Sequence, residues 1–306
     1  MPKARHKWEK GIVEFEHEGA TCLSVVFTWD APKALERARD LSEQGRDVRI
    51  GGPGVFRVPP EFKRELMAVA TVGGEIADTV VRHNPDATFA SKGCPVGCSF
   101  CVVPALEGRD FTLIWDFEPR PTLCDNNLSA LPGAYQDYIV KKYQSSGVVL
   151  TDCNSGFEPA TFTPEVLERW RKINKGPWRF AYDESIEGPE VKAVADMLKD
   201  AGFRNPSRKR VYTLIGNEPF EACMTRIKEV IAWGCEPHVQ PMIRLNALKK
   251  EPWIRRDLDW CPLCRDGETH DECSTQLLRD VARWTNAWLW RKIPFEDYDR
   301  HKRNPK

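Results

Sequence analysis

Short apolar runs and longer stretches with a helical repeat alternate along most of the chain. Residues 21–30, TCLSVVFTWD, form a compact apolar run, and APKALERARDLSEQG behind it carries Leu35, Ala38 and Leu41 at helical spacing before stopping at Gly45. DVRIGGPGVF predicts a second strand and EFKRELMAVA a weaker helix, so the chain from about residue 20 to about residue 90 reads as one βαβ-like unit. From ATFASKG onward the alternation continues. PTLCDNN, GVVLTDCNS, WRFAYDE, RVYTLIG and EPHVQPMI are each short, apolar or alternating, and each ends in polar residues or glycine. Three helices are legible between them. Thr163 caps one with Pro164 in its first turn and Val166, Leu167, Trp170 and Ile173 on one side. A second starts near Pro189, carries Val191, Val194 and Leu198, and stops at Gly202. A third runs from about Pro219 with Phe220, Cys223, Ile227 and Val230 on a face and Gly234 past its end. Six strands alternating with helices predict an α/β protein whose parallel sheet is wound as an open or closed barrel. In such barrels chemistry gathers at the C-terminal ends of the strands.

Composition narrows the class. A chain of 306 residues buries a large core without staples, so its eleven cysteines need another explanation. No apolar run approaches the roughly 18 residues that span a bilayer, which predicts a soluble protein with no membrane partner. The charged start MPKARHKWEK is followed by no apolar segment with a cleavage site, so a cytoplasmic, reducing compartment is expected. An odd, clustered set of cysteines in that compartment fits metal or redox use better than a disulfide framework. Lys plus Arg equals Asp plus Glu at 45 each, so no overall positive field gathers nucleic acid. The basic stretches KARHK and DRHKRNPK read as solvated tails; they admit a nucleic-acid partner without favouring one.

The chemistry concentrates in residues 91–104, SKGCPVGCSFCVVP, where Cys94, Cys98 and Cys101 fall within eight positions beside Gly93 and Gly97. Three thiolates from one tight loop suit three irons of a [4Fe-4S] cluster, with the fourth iron left open. Other readings stand beside it. Structural zinc usually takes paired knuckles, a ferredoxin normally supplies a fourth cysteine, and three reduced thiols can simply share a turn.

CPVGCSFC resembles the Cys-x-x-x-Cys-x-aromatic-Cys loop of the radical S-adenosylmethionine enzymes, with Phe100 at the aromatic position. GCPVGCSFCVVPALEG is similar to the start of the methylthiotransferase-related and cobalamin-domain members of that family. RVYTLIGNEPFEACMTRIKEVIAWGCEPHVQPMIRLN resembles their fifth and sixth units. The resemblance covers about residues 88–300 and implies a partial (β/α)6 TIM-like barrel preceded by a small N-terminal βαβ, Rossmann-like, segment. The expected domains are 1–87, resembling a degenerate cobalamin-binding domain, a core barrel over 88–250, and a helical extension over 251–306. What the family does with its loop is to bind a [4Fe-4S] cluster and S-adenosylmethionine, whose reductive cleavage gives a 5'-deoxyadenosyl radical that abstracts hydrogen from substrate. A flavodoxin- or ferredoxin-type electron donor is the implied partner.

Carried onto this sequence, the resemblance makes Cys94, Cys98 and Cys101 the cluster ligands. Phe100 and Val102 approach the adenine through backbone. Asp125, Asn126 and Asn127 lie where the methionyl amino group is held, and Ser155 ends the third strand. Asp183 and Glu184 fall at a usual place for ribose contacts, Ile215 and Gly216 flank the adenine, and Met242 reaches it through backbone. Two departures stand out: CDNN replaces the common Gly-Gly-Glu of the second strand, and no Asp-x-His-x-x-Gly is present to ligate cobalt. The glycine cluster GGPG reads as a turn sooner than a phosphate cradle. Transfer RNA modification, suggested by the methylthiotransferase-like loop, and a non-catalytic iron-sulfur or zinc protein are the alternatives.

A second cluster, CPLCRDGETHDEC, places Cys261, Cys264, His270 and Cys273 close together, fit for zinc or an auxiliary cluster. Val281, Trp284 and Trp288 are expected on one packing face of a last helix. Cys22, Cys153, Cys223 and Cys235 read as buried small hydrophobes, with Cys124 and Cys153 near strand ends. Asp152 and Glu158 are available for acid-base steps.

Overall fold

The computed structural model describes residues 7–74, 76, 79–255 and 270–301, with only the backbone for 270–274. The chain is a mixed α/β protein that separates into two compact units, Met1–Asn126 with Arg244–Glu251, and Asn127–Ile243 with Pro252–Lys306. Residues 244–251 belong with the first because Thr28 Oγ1 donates to the Leu245 carbonyl at 2.8 Å and Lys250 Nζ lies 5.4 Å from the Trp29 ring centroid.

In the first unit a four-stranded sheet runs in the order β1 (Ile12–His17), β2 (Ala20–Val25), β3 (Val48–Gly51), β4 (Thr71–Val72), with helices α1 (Ala31–Glu43) between β2 and β3 and α2 (Pro60–Val69) between β3 and β4. Every residue of β2 is buried, as befits a strand with neighbours on both edges. Leu35, Ala38 and Leu41 of α1 pack with Leu23, Val25, Ile50, Phe62 and Leu66, so the helical spacing in the sequence is the spacing of the core. β1 was not among the expected strands. It pairs antiparallel with β2 through the two-residue turn Glu18–Gly19, both at positive φ (50° and 81°), the geometry that two-residue hairpins demand. The apolar run 21–30 does not stay extended. It leaves the sheet after Val25 and makes a single tight turn at Thr28–Asp30, where Pro32 starts α1 with φ already helical. The GGPG segment is packing. A Cβ on Gly52 (φ 101°) would stand 2.4 Å from the Val25 carbonyl oxygen, so two backbones touch where a side chain has no room.

The rest of this unit is made of short pieces: α3 (Thr79–His83), β5 (Ala87–Thr88), β6 (Ser91–Lys92), α4 (Val103–Leu106), β7 (Thr112–Leu113) and β8 (Thr122–Leu123). β5 pairs parallel with β8, and β6 antiparallel with β7. The cysteine loop spans β6 to α4.

The second unit runs α5 (Gly133–Ser146), β9 (Asp152–Cys153), α6 (Pro164–Trp170), β10 (Trp178–Ala181), α7 (Gly188–Asp200), β11 (Lys209–Ile215), α8 (Phe220–Ala232), β12 (Glu236–Pro241) and α9 (His270–Asn286). β10, β11 and β12 form a parallel sheet in that order. Full burial alternates along β11 at Lys209, Val211, Thr213 and Ile215. Val211 packs with Val191 and Ala195 of α7, and Ile215 with Cys223 and Ile227 of α8, so one face of the sheet is covered by helices. Phe157, Phe162, Trp170, Trp178 and Phe180 stack edge-on around ring separations of 5.0–6.1 Å.

Thr163 caps α6 as expected, accepting from the Val166 amide at 3.4 Å. α5 was not read from the sequence, because its buried positions include Gln136 and two tyrosines and blur the apolar repeat. The expected face of Val281, Trp284 and Trp288 holds for the first two only. α9 ends at Asn286, and Trp288 turns out at φ 57° and is half exposed. Among the described residues the strands do not close into a barrel, and no helix is long and apolar enough to cross a membrane.

Candidate functional site

The cysteine loop is closed at its base. Gly93 directly follows β6 at φ 89°, where a Cβ would stand 2.2 Å from the Asp110 carbonyl oxygen, so only glycine fits. Its amide donates to Glu107 Oε2 at 2.9 Å, its carbonyl accepts from Asn126 Nδ2 at 3.4 Å, and the Cys94 amide donates to the Gly108 carbonyl at 3.3 Å. The far side of the loop is a turn of its own: the Cys101 amide donates to the Cys98 carbonyl at 3.1 Å, and Cys101 Sγ accepts from the Val103 amide at 3.4 Å. Gly97 (φ 59°) lies against the guanidinium of exposed Arg109, whose Nη2 would be 2.5 Å from a Cβ there.

Cys94, Cys98 and Cys101 are half-buried and none is in a disulfide. Their number, softness and partial exposure fit an iron-sulfur cluster, and an amide directed at a cysteine sulfur is the kind of contact that tunes one. Among the described residues no three histidine, cysteine or carboxylate side chains are already drawn together at metal-holding distances. The fit is therefore one of donor chemistry. Phe100 is half-buried, and the Val102 carbonyl is taken up by α4, accepting from the Ala105 and Leu106 amides at 3.1 and 3.0 Å.

Beyond β8 and Cys124, the residues Asp125, Asn126 and Asn127 differ sharply. Asp125 is fully buried; Oδ2 accepts from the Ala90 amide at 2.9 Å and Oδ1 from Ser91 Oγ at 2.5 Å. Burial pushes its carboxyl up to about 6 despite these donors. It braces the strand leading into the cysteine loop and offers nothing at the surface. Asn127, in the second unit, is also buried and spends Oδ1 on the Ala130 amide at 3.1 Å and Ser129 Oγ at 3.4 Å. Asn126 is half-buried. Its Nδ2 donates to Glu107 Oε2 at 2.6 Å, which orients the amide and leaves Oδ1 with no hydrogen-bond partner among the described residues.

In the second unit Asp183, Glu184, Ile215, Gly216 and Met242 lie at the C-terminal ends of β10, β11 and β12, and Ser155 lies just past β9. Asp183 Oδ1 accepts from the Leu214 amide at 2.9 Å, and the Asp183 amide donates to Glu187 Oε2 at 2.7 Å. Burial first, then the Glu187 charge, pushes the Asp183 carboxyl up to about 7. Glu184 is exposed and makes a reciprocal cap with Glu187. Ile215 and Gly216 are buried, and their carbonyls accept from the Met242 amide at 2.8 Å and the Arg255 amide at 3.0 Å. Ser155 is exposed, one residue before the turn at Gly156.

One residue missed in the sequence organises these ends. Arg226 of α8 is fully buried, and its guanidinium donates to the Tyr182 carbonyl at 2.7 Å and the Leu214 carbonyl at 2.9 Å, with Glu218 Oε2 2.9 Å from Nε. A cation amid Cys223, Ile227 and Val230 was the available signal. Asp152 is bound in an ion pair with Arg179 at 2.8 Å. Glu158 is raised by burial and lines a cleft of about 240 Å³ with Pro159, Ala160, Ile186, Glu187 and Glu190. Cys22, Cys124, Cys153, Cys223 and Cys235 are buried. Cys261 and Cys264 lie outside the described residues; His270 and Cys273 are described in backbone only, in the first turn of α9.

No family model matches the chain, and no curated protein matches it in sequence. Among solved structures it is similar to the radical S-adenosylmethionine methyltransferase TsrM from Kitasatospora setae, determined with cobalamin and a [4Fe-4S] cluster bound. The TM-score is 0.51 at 11% identity, over 71% of this chain and 62% of TsrM. The likeness is one of fold. This chain therefore spans about three fifths of the length of TsrM, and the fold it shares is one that carries a cluster in that protein.

Proposed function

We propose that this protein is a radical S-adenosylmethionine enzyme built on a partial (β/α)6 TIM-like scaffold. The observation that carries the reading is the loop of three cysteines outside any disulfide, closed at its base by Glu107, Asn126 and Gly108, in a chain that shares its fold with TsrM. Cys94, Cys98 and Cys101 are the residues to hold a [4Fe-4S] cluster. When bound, such a cluster supplies the electron that splits S-adenosylmethionine and so yields a radical able to take hydrogen from a substrate.

The chain's own residues have separable tasks. The cysteine loop supplies three soft ligands and leaves the fourth position to the co-substrate. Asn126 Oδ1, oriented by Glu107, accepts from the methionyl ammonium; Asp125 and Asn127 act behind it as braces. Asp183 and Glu184 are the proposed ribose contacts. With its carboxyl pushed up to about 7, Asp183 is able to donate a hydrogen bond to a hydroxyl oxygen when protonated and to accept one when ionised. The backbone at Ile215, Gly216 and Met242 is the proposed adenine contact of the second unit. A flavodoxin- or ferredoxin-type protein is the proposed electron donor, and the cytoplasm the proposed compartment.

The test is anaerobic reconstitution with iron and sulfide, then reduction with dithionite in the presence of S-adenosylmethionine. Four irons per chain and release of 5'-deoxyadenosine are expected, both lost when any one of Cys94, Cys98 or Cys101 is changed to alanine. A reducible cluster that never yields 5'-deoxyadenosine overturns the enzymatic reading in favour of a binding or electron-transfer protein. RNA retained through purification would direct the substrate search to transfer RNA.

A further inference from the structure

The loop that bears the three cysteines is held by a carboxylate that the ligand motif does not include. Oε2 of Glu107 accepts two hydrogen bonds at once, from the Gly93 amide at 2.9 Å and from Asn126 Nδ2 at 2.6 Å. The backbone of Glu107 is itself placed by α4, its amide donating to the Val103 carbonyl at 2.8 Å. The chain therefore leaves β6, passes all three cysteines, makes one short helix and folds back on the residue next to the first cysteine. Gly93 is gripped at both polar atoms, its N–H by Glu107 and its C=O by Asn126 at 3.4 Å. Cys101 and Cys98 are joined by their own turn, while the Cys94 end is held by this grip together with its own amide, which donates to the Gly108 carbonyl at 3.3 Å.

We propose that Glu107 is the positioning residue of the cysteine loop, presetting the backbone of Cys94 for cluster capture and fixing the amide orientation of Asn126. The inference rests on the proposed cluster-binding reading. Two donors on one ionised oxygen are charge-assisted and stronger than neutral pairs. Closing a loop of this length before the ligand arrives removes chain entropy that binding would otherwise have to supply. The single oxygen also couples its two donors: moving Glu107 releases the loop base and the side chain of Asn126 together.

Hydrogen exchange of the cluster-free chain and anaerobic reconstitution test this with Glu107→Leu and Glu107→Gln. A hydrogen bond to a charged group sets the scale, so the Gly93 amide in Glu107→Leu is expected to exchange at least about tenfold faster than in the wild type, with β11 unchanged. Glutamine keeps an acceptor, and Glu107→Gln is expected within about threefold of the wild type. On reconstitution Glu107→Leu is expected to retain less than half the wild-type iron and to show an altered electron paramagnetic resonance signal, both rescued in Glu107→Gln. Unchanged exchange at Gly93, or wild-type iron and an unaltered signal in Glu107→Leu, overturns the inference. Should Glu107→Leu fail to fold, Glu107→Ala removes the same acceptor with a smaller side chain, and unchanged Gly93 exchange there overturns it equally. Wild-type protein that takes up no cluster would sink the proposed function instead, while the exchange result still decides the grip.

Discussion

In the first unit the groups that fasten the loops are carboxylates, whereas in the second the strand ends are fastened by a guanidinium. Asp125 and Glu107 accept from the amides of Ala90 and Gly93. Arg226 donates to the carbonyls of Tyr182 and Leu214. Both solve one problem, since buried backbone groups need partners and an unmade bond is costly. The sign follows the backbone. A chain leaving a strand to wrap a loop presents N–H groups inward and needs acceptors, while the C-terminal ends of parallel strands present carbonyls and need a donor fork.

The largest effect expected from breaking this contrast is in the second unit. Arg226→Met strips the donors from two buried carbonyls and leaves Glu218 without its cation, at a cost of about 4 kcal/mol in chemical denaturation. A loss under about 1 kcal/mol would show that the strand ends hold without it. Next comes the first unit's tight approach. Gly93→Ala forces a Cβ toward the Asp110 carbonyl at positive φ, costing about 3 kcal/mol by the same measurement.

A pH series sharpens the comparison of Asp125 and Asp183, the two aspartates whose carboxyls are raised. The Asp183 carboxyl, near 3.8 when unfolded and about 7 when folded, keeps its proton in the native state while the unfolded chain has already released it. Stability therefore falls as pH rises from about 4 to 7, and the full cost persists above 7. Asp183→Asn retains an acceptor for the Leu214 amide and removes the titration. Relative to the wild type it should gain on the order of 2 kcal/mol at pH 8 and nothing at pH 4. A difference independent of pH would mean that the carboxyl is not held near neutrality. The smallest effect is expected remote from both fastenings: Thr163→Ala removes only the cap of α6, a loss of about 1 kcal/mol with no change in bound iron.

Much of this architecture was legible as pattern. α1, α7 and α8 announce themselves because apolar residues at helical spacing, a proline at the start and a glycine near the end all agree, and α6 because its Thr163 cap and Pro164 agree with its apolar face. β1 carried a signal that was passed over, the alternation in IVEFEH before Glu18–Gly19. β5, β6 and β8 were legible only as the runs ATFASKG and PTLCDNN, and β7 was not read, since two-residue pairings exist by virtue of what lies across from them. Trp288 fails as a face residue because α9 stops two positions earlier.

By itself the sequence determined the alternation of strand and helix, the presence of three thiols in one glycine-flanked loop, and the absence of any overall charge to gather a polyanion. These are local properties, set by spacing along the chain. Only the tertiary structure decided that Asp125 and Asn127 are spent inside while Asn126 Oδ1 has no partner among the described residues, that Glu107 returns to grip Gly93, and that Arg226 sits among apolar neighbours with two carbonyls to serve. Those outcomes depend on which backbone groups are left unpaired once the elements have packed, a quantity that no single segment carries.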